Sequence, residues 1–288
     1  MGQDLLFQYY LIVFLDVLGQ RESLRKIQIL PSKENEKEEF IKLVKESLGK
    51  IDLIRGIFQS YFATSNSHTP NSRLVPPEHR DEFIASQKVE HYLYSFSDAV
   101  IMAIPLMSTD ENCTAMNGVH SAFIATSGLG LMALSAKIPI RAGLDVGIAT
   151  QIDDKEVYGP ALEKAVYLEA QLAEYPRFLA GNELINYLMW VENQTPRTRL
   201  GLIAKNMAEL CRKMIIQDTD GRFMIDFLGA RLKEDAGDSI NIDVVISAWD
   251  FVISQYQKYM TEGNEKLSSR YFRLMRYFQS RKSIWGIN

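Results

Sequence analysis

Two short apolar runs, each ending in an aspartate, constrain this chain more than any other feature. FLDVLG (residues 14–19) carries Asp16, and YSFSDAV (94–100) carries Asp98. Proline is absent from both and glycine is absent until Gly19, so each reads as a strand that runs into a turn. If the strands lie side by side, the two carboxylates meet at one end of a sheet. Carboxylates that close repel unless a proton or a cation is shared between them. A divalent metal resolves the repulsion, and metal-bound carboxylates usually work with phosphates.

The rest of the chain supplies elements for such a sheet. Residues 7–15 read as a buried strand, and a helix containing Glu22–Lys26 can follow the Asp16–Gly19 turn. The charged run 32–62 has helical apolar spacing at Ile41, Val44, Leu48, Ile51, Ile54 and Ile57. Residues 63–81 are rich in Ser, Asn, Pro and His and read as an exposed loop excursion. Residues 88–94 and 99–104 form the arms of a hairpin around the FSD turn, and 118–136 is an apolar, small-residue helix. A strand follows at 140–148, then the short strand EVY, then a helix over 160–175 closed or kinked by Pro176. The expected fold is α+β: a split βαβ, ferredoxin-like sheet backed by helices. Residues 1–190 form the catalytic domain in this reading. Residues 191–288 form a mostly helical C-terminal extension, with DGRFMIDFLG (220–229) as a candidate strand.

Bulk properties narrow the function. With 288 residues, the chain can form one large domain or a domain with an appendage. A formal net charge of −4 gives no general pull toward nucleic acid or an anionic membrane. The run LLFQYYLIVFLDVLG is too short and too interrupted to span a bilayer, and it has no signal-peptide flanks. Cys113 and Cys211 lack close-spaced partners, which reads as reduced structural cysteines and a cytoplasmic location. The basic tail 258–283 reads as a docking helix or a solvated face rather than an RNA contact.

Several residues can carry chemistry. Asp16 can cap a helix and Asp98 can be a plain turn residue, but their shared context favours metal ligation by both. The backbone carbonyl of Val17 offers a further hard oxygen. Gly19 relaxes the turn and exposes N–H groups that can receive a phosphate. Arg141, in RAGLDVG (141–147), can fix a local carboxylate or bind phosphate, and the small residues of that strand invite close contact with a helix, a base or a second subunit. Asp145 suits a buried partner for a basic group. Glu156 and Glu163 flank a strand-to-helix turn. Tyr167 either packs or donates its hydroxyl. Arg177, after Tyr175-Pro176, is an exposed structural arginine or faces phosphate. GxxxxGK[ST], HExxH, CxxC and GxSxG patterns are all missing from the sequence.

The order FLDVLG, FSDAV, RAGLDVG, YGPALEKAVYLEA over residues 8–180 resembles the class III nucleotide cyclases. Within them it is most similar to the bacterial pyrimidine cyclases of Pycsar antiphage defence systems. The resemblance implies a homodimer with composite sites at the subunit interface; the charge balance leaves neither nucleic acid nor membrane as an expected partner. Asp16 and Asp98 would hold two divalent cations, Mn²⁺ or Mg²⁺. The substrate would be a nucleoside triphosphate, cyclised to the 3′,5′-monophosphate with release of pyrophosphate.

The positions that read purines in familiar adenylate cyclases depart from pattern. Tyr94 stands where a base-contacting lysine is usual, and Glu156 lies near the usual Asp or Thr. Glu163 replaces a ribose-orienting Asn, and Tyr167 replaces the transition-state Arg. These changes favour UTP, or CTP, and so cUMP or cCMP as the second messenger. They leave Arg177, Arg141 or an arginine from the partner to stabilise the transition state. The alternatives are a purine cyclase with an unusual pocket and a non-catalytic module that kept the fold.

Overall fold

The computed structural model describes residues 6–20, 25, 28–67, 76–107, 114–153, 155–236 and 240–287. The chain is α+β, built on a mixed eight-stranded sheet. Strand β1 (Gln8–Val17) lies between β3 (Ala99–Pro105) and β4 (Ile140–Ile152), antiparallel to both, and β2 (Tyr92–Phe96) completes a hairpin with β3. Beyond β4 come β6 (Phe178–Ala180), β8 (Phe223–Ile225) and β7 (Ile215–Gln217), while β5 (Glu156–Tyr158) pairs with the distal end of β4. The spatial order is β2-β3-β1-β4-β6-β8-β7.

Strand β1 is apolar on both faces because both are covered. Leu11, Val13, Leu15 and Val17 enter the main core, whereas Tyr10 and Ile12 enter a smaller cluster on the opposite face. That double burial explains why the run reads as continuously hydrophobic instead of alternating. The main core includes residues of α1 (Glu34–Ser67), α3 (Ala115–Ser135), α5 (Asn182–Asn193), α6 (Arg199–Lys213), α7 (Ala230–Ala236), α8 (Ile242–Thr261) and α9 (Glu265–Trp285). Helix α3 is buried almost all round. Among the described residues it is the one helix long and apolar enough to cross a membrane, and its most apolar window is 89% buried inside the fold. The opposite face is covered by α4 (Pro160–Tyr167), which continues into a single π-helical turn, Leu168–Leu172.

Several sequence expectations are corrected. Helix α1 continues to Ser67, and α2 (Arg80–Ser86) follows a 3₁₀ turn at Pro77–His79, so the expected 63–81 excursion is helical at both ends. Its middle, 68–75, lies outside the described residues, as do Cys113 and most of the Glu22–Lys26 helix. The inward stripe of α1 runs through Ile51, Ile54, Phe58 and Phe62, while Ile41 and Leu48 stay about half exposed. The apolar spacing is helical along its whole length, but only its second half meets the core. The helix after β5 ends at Leu172, four residues before Pro176, because the π turn terminates it first.

The boundary expected at residue 190 falls inside α5, and β7 and β8 continue the same sheet. The C-terminal segment therefore shares one core with the N-terminal one. Strand β8 falls within the 220–229 stretch expected to hold a strand. Cys211 is a free thiol with no exposed surface, and burial pushes its pKa up.

Candidate active site

Register and pleat bring the first carboxylate pair together. Asp16, the penultimate residue of β1, stands opposite Ala99 on β3 and opposite Arg141 on β4. Residues directly opposite each other share a face, so Arg141 and Asp16 project from the same side as Tyr10 and Ile12. Asp98 occupies the β2–β3 turn immediately before Ala99. Ser97 there takes φ 54°, a conformation unusual outside glycine, which makes the turn tight enough to hold Asp98 at the sheet end. Burial raises the Asp16 carboxyl above its ordinary range, and the negative charge of Asp98 raises it further. Arg141 and a hydrogen bond with Glu169 oppose that rise.

Glu169, which is not among the sequence candidates, completes the cluster. It is 3% exposed and ion-pairs with Nε of Arg141. Burial pushes its carboxyl up to about 7, Arg141 opposes this, and the Asp16 charge adds to it. The same guanidinium reaches Oδ2 of Asp16 through Nη2 at 3.5 Å and approaches the carbonyl of Ala173 at 3.5 Å through Nη1. Glu169 sits on the π turn, a local insertion that alters which side chains of a helix face inward. A signal was nonetheless present: Ala161, Ala165 and Glu169 are spaced by four and all are buried. A carboxylate on a buried stripe requires a charged partner.

Two glycines let α4 lie close to the sheet. A Cβ on Gly143 would come 2.1 Å from the carbonyl oxygen of Ala165, and one on Gly147 would meet Ala161 at about 3.1 Å. Of the contacts open to the small residues of β4, the described chain makes the one with a helix.

The remaining sequence candidates are dispersed. Val17 follows Asp16 directly, with its side chain 4% exposed in the main core. Gly19 is exposed at φ 88°. Tyr94 is buried in the smaller cluster, opposite Ile101. Glu156 is exposed on β5. Glu163 and Tyr167 line a different cleft of about 410 Å³, together with Asp145, Lys164 and the start of α5. Asp145 accepts the backbone N–H groups of Val146 and Leu184, both at 2.9 Å, and so caps α5, with Lys164 as its charged neighbour.

Arg177 departs most from expectation. It is fully buried, with Nη1 on Asp218 and Nη2 on Asp220 (2.7 Å) and on the Leu172 carbonyl (2.8 Å). Its guanidinium also lies 4.7 Å from the Tyr175 ring centroid. Both its Nη groups are committed, so the expectation of an exposed or phosphate-facing arginine is withdrawn.

Among the described residues, no group of three or more His, Cys, Asp or Glu side chains is arranged to hold a metal ion. The site at the sheet end therefore consists of two carboxylates, a nearby backbone carbonyl, and an arginine braced by a third, buried carboxyl. Such an arrangement can hold a hard cation only with oxygens from water or substrate completing its shell. The chain matches no protein-family model and no curated protein.

Proposed function

We propose that this protein is a metal-dependent nucleotide cyclase of the class III type, acting on UTP or CTP to make cUMP or cCMP in antiphage defence, as a cytoplasmic homodimer. One observation carries the reading: Asp16 pairs in register with Ala99, the residue directly after Asp98, so the two carboxylates share one end of the sheet. The strand order β2-β3-β1-β4 supports it, because that is the split βαβ order the family resemblance implies.

The donor set fits Mg²⁺ or Mn²⁺, which favour carboxylate oxygens together with substrate phosphates. Asp16, Asp98 and the Val17 carbonyl would hold the ions, which supply charge screening of the triphosphate and a lower pKa for the ribose 3′-hydroxyl. In the reaction the 3′-oxygen attacks the α-phosphorus, the bond to the bridging oxygen breaks, pyrophosphate leaves, and the hydroxyl proton passes to solvent. Arg141 favours the ionised form of Asp16 against its burial and fixes its orientation, while Glu169 holds the guanidinium in place.

Within one chain Glu163 and Tyr167 line the cleft that also holds Asp145 and Lys164. In the homodimer that the resemblance implies, they would meet the substrate of the second copy. Exposed apolar side chains at Phe96 (79%), Tyr158 (67%) and Tyr167 (52%) give such a copy a surface to cover. Tyr94 and Glu156 are the positions to which the resemblance assigns base reading.

Incubation with each of the four nucleoside triphosphates and Mn²⁺, followed by product chromatography, tests the proposal. The expected product is cUMP or cCMP. Preference for ATP or GTP would move the reading to a purine cyclase. The absence of any cyclic product from folded, dimeric protein would overturn it. The commitment of Arg177 to Asp218 and Asp220 favours one second reading, a non-catalytic module, which predicts no binding of nucleotide or Mn²⁺.

A further inference from the structure

A triphosphate arriving at the carboxylate site needs cationic side chains as well as metal, and the arginines already described are engaged. Arg141 is held by Glu169 and Asp16, and Arg177 by Asp218 and Asp220. Helix α9 brings two more to the same end of the sheet. Arg273 pairs with Glu174 at 2.7 Å, and Glu174 follows Ala173, whose carbonyl lies 3.5 Å from Arg141. One turn earlier on α9, Arg270 lies within electrostatic range of Arg141, Glu174 and Arg273. Arg270 is half-buried and makes no ion pair or hydrogen bond among the described residues. Partial burial disfavours its charge, Glu174 opposes that, and the charges of Arg141 and Arg273 add to it. Arg141 and Arg273 are each held by a carboxylate, which leaves Arg270 as the guanidinium of this group available to an incoming anion.

We infer that α9 supplies the phosphate-binding arm of this site, with Arg270 contacting the anionic tail of the substrate and the Arg273–Glu174 pair positioning that helix. The inference rests on the cyclase reading for the identity of the substrate, but the anion site itself can be tested without it. A guanidinium suits this task because its planar fork can donate two parallel hydrogen bonds to phosphate oxygens. It also gives the C-terminal segment a role in the chemistry, since α9 shares its core with the sheet instead of forming a separate appendage.

The test is calorimetric binding of inorganic triphosphate to the full chain, read beside nucleotide turnover. Arg270→Ala should weaken triphosphate binding about 10- to 100-fold, the size expected for a charge-assisted contact. Arg270→Lys should recover part of that loss. Arg276→Ala, at an exposed position on the same helix, serves as the control and should bind like the unmodified chain. In a turnover assay, Arg270→Ala should raise KM more than it lowers kcat. Equal triphosphate affinity for Arg270→Ala and the unmodified chain would overturn the inference, even if cyclic nucleotide is made. Arg270-dependent binding without cyclic product from any nucleotide would uphold the anion site and overturn the cyclase reading.

Discussion

Asp16 and Arg141 are register partners across β1 and β4, and their side chains approach to 3.5 Å. The cation therefore comes from the neighbouring strand, directly opposite the first carboxylate. It offsets part of the repulsion from Asp98 without removing it, because the guanidinium is shared with Glu169. Two carboxylates at one sheet end cost free energy that an apolar pair would not, and in the proposed reading that cost is accepted for function.

Neutralising one of the pair should expose that trade. Asp16→Asn and Asp98→Asn are each expected to reduce turnover by about 10²–10³-fold or more. Each should leave thermal stability within about 0.5 kcal/mol or raise it, since a buried charge or a repulsion is removed. Activity assays beside thermal denaturation check this, and a large drop in melting temperature would show that the pair is structural.

Arg141 and Glu169 form one unit. Arg141→Met leaves Asp16 and the buried Glu169 without their cation and should cost about 3 kcal/mol. Combining it with Glu169→Gln should recover part of that loss, with a coupling of about 1–3 kcal/mol in a double-mutant cycle followed by urea denaturation. Additive effects would mean that the two side chains act separately.

The close approach of α4 to the sheet predicts opposite outcomes for two glycines. Gly143→Ala drives a Cβ toward the Ala165 carbonyl and should destabilise by about 1–3 kcal/mol while lowering activity, because it displaces the helix that leads to Glu169. Gly49→Ala on α1 meets nothing within 4 Å and should stabilise by about 0.5–1 kcal/mol. Denaturant midpoints of the two variants decide it.

The buried Arg177 network predicts acid sensitivity. Burial alone would raise the Asp220 carboxyl, but hydrogen bonds from Arg177 and Arg222 outweigh it and hold the pKa well below the ordinary 3.8. Asp235 is likewise held down by His120 and Arg231 against its burial. A carboxylate with a lowered folded pKa contributes stability that is complete above about pH 4 and is lost as the pH falls toward the folded value. Melting temperature should therefore drop steadily below about pH 4. Asp220→Asn should be less stable at pH 7 and show a shallower drop, and an unchanged slope would reject the assignment.

Much of the frame was legible from local pattern. Apolar runs bounded by Asp16 and Asp98, the alternation of RAGLDVG and the turn at 97–98 mark strands because strand formation depends on neighbouring residues. The small residues at 143 and 147 announced a close approach, although not to which partner. The start of the 63–81 stretch is helical despite Ser and Asn near residue 65, which favour turns in isolation, because Phe58 and Phe62 tie that end of α1 into the core.

The partners of the charged side chains were not legible. Arg177 meets Asp218 across 41 residues and Arg273 meets Glu174 across 99. A guanidinium carries the same composition signal whether it faces a phosphate or a buried carboxylate. Hydrophobic periodicity is written along the chain, so the amino-acid order settled where the central strands lie and placed two acids at their ends. Electrostatic pairing is decided by distances across space, and only the packed sheet and the π turn determined which arginine braces Asp16 and which is entombed.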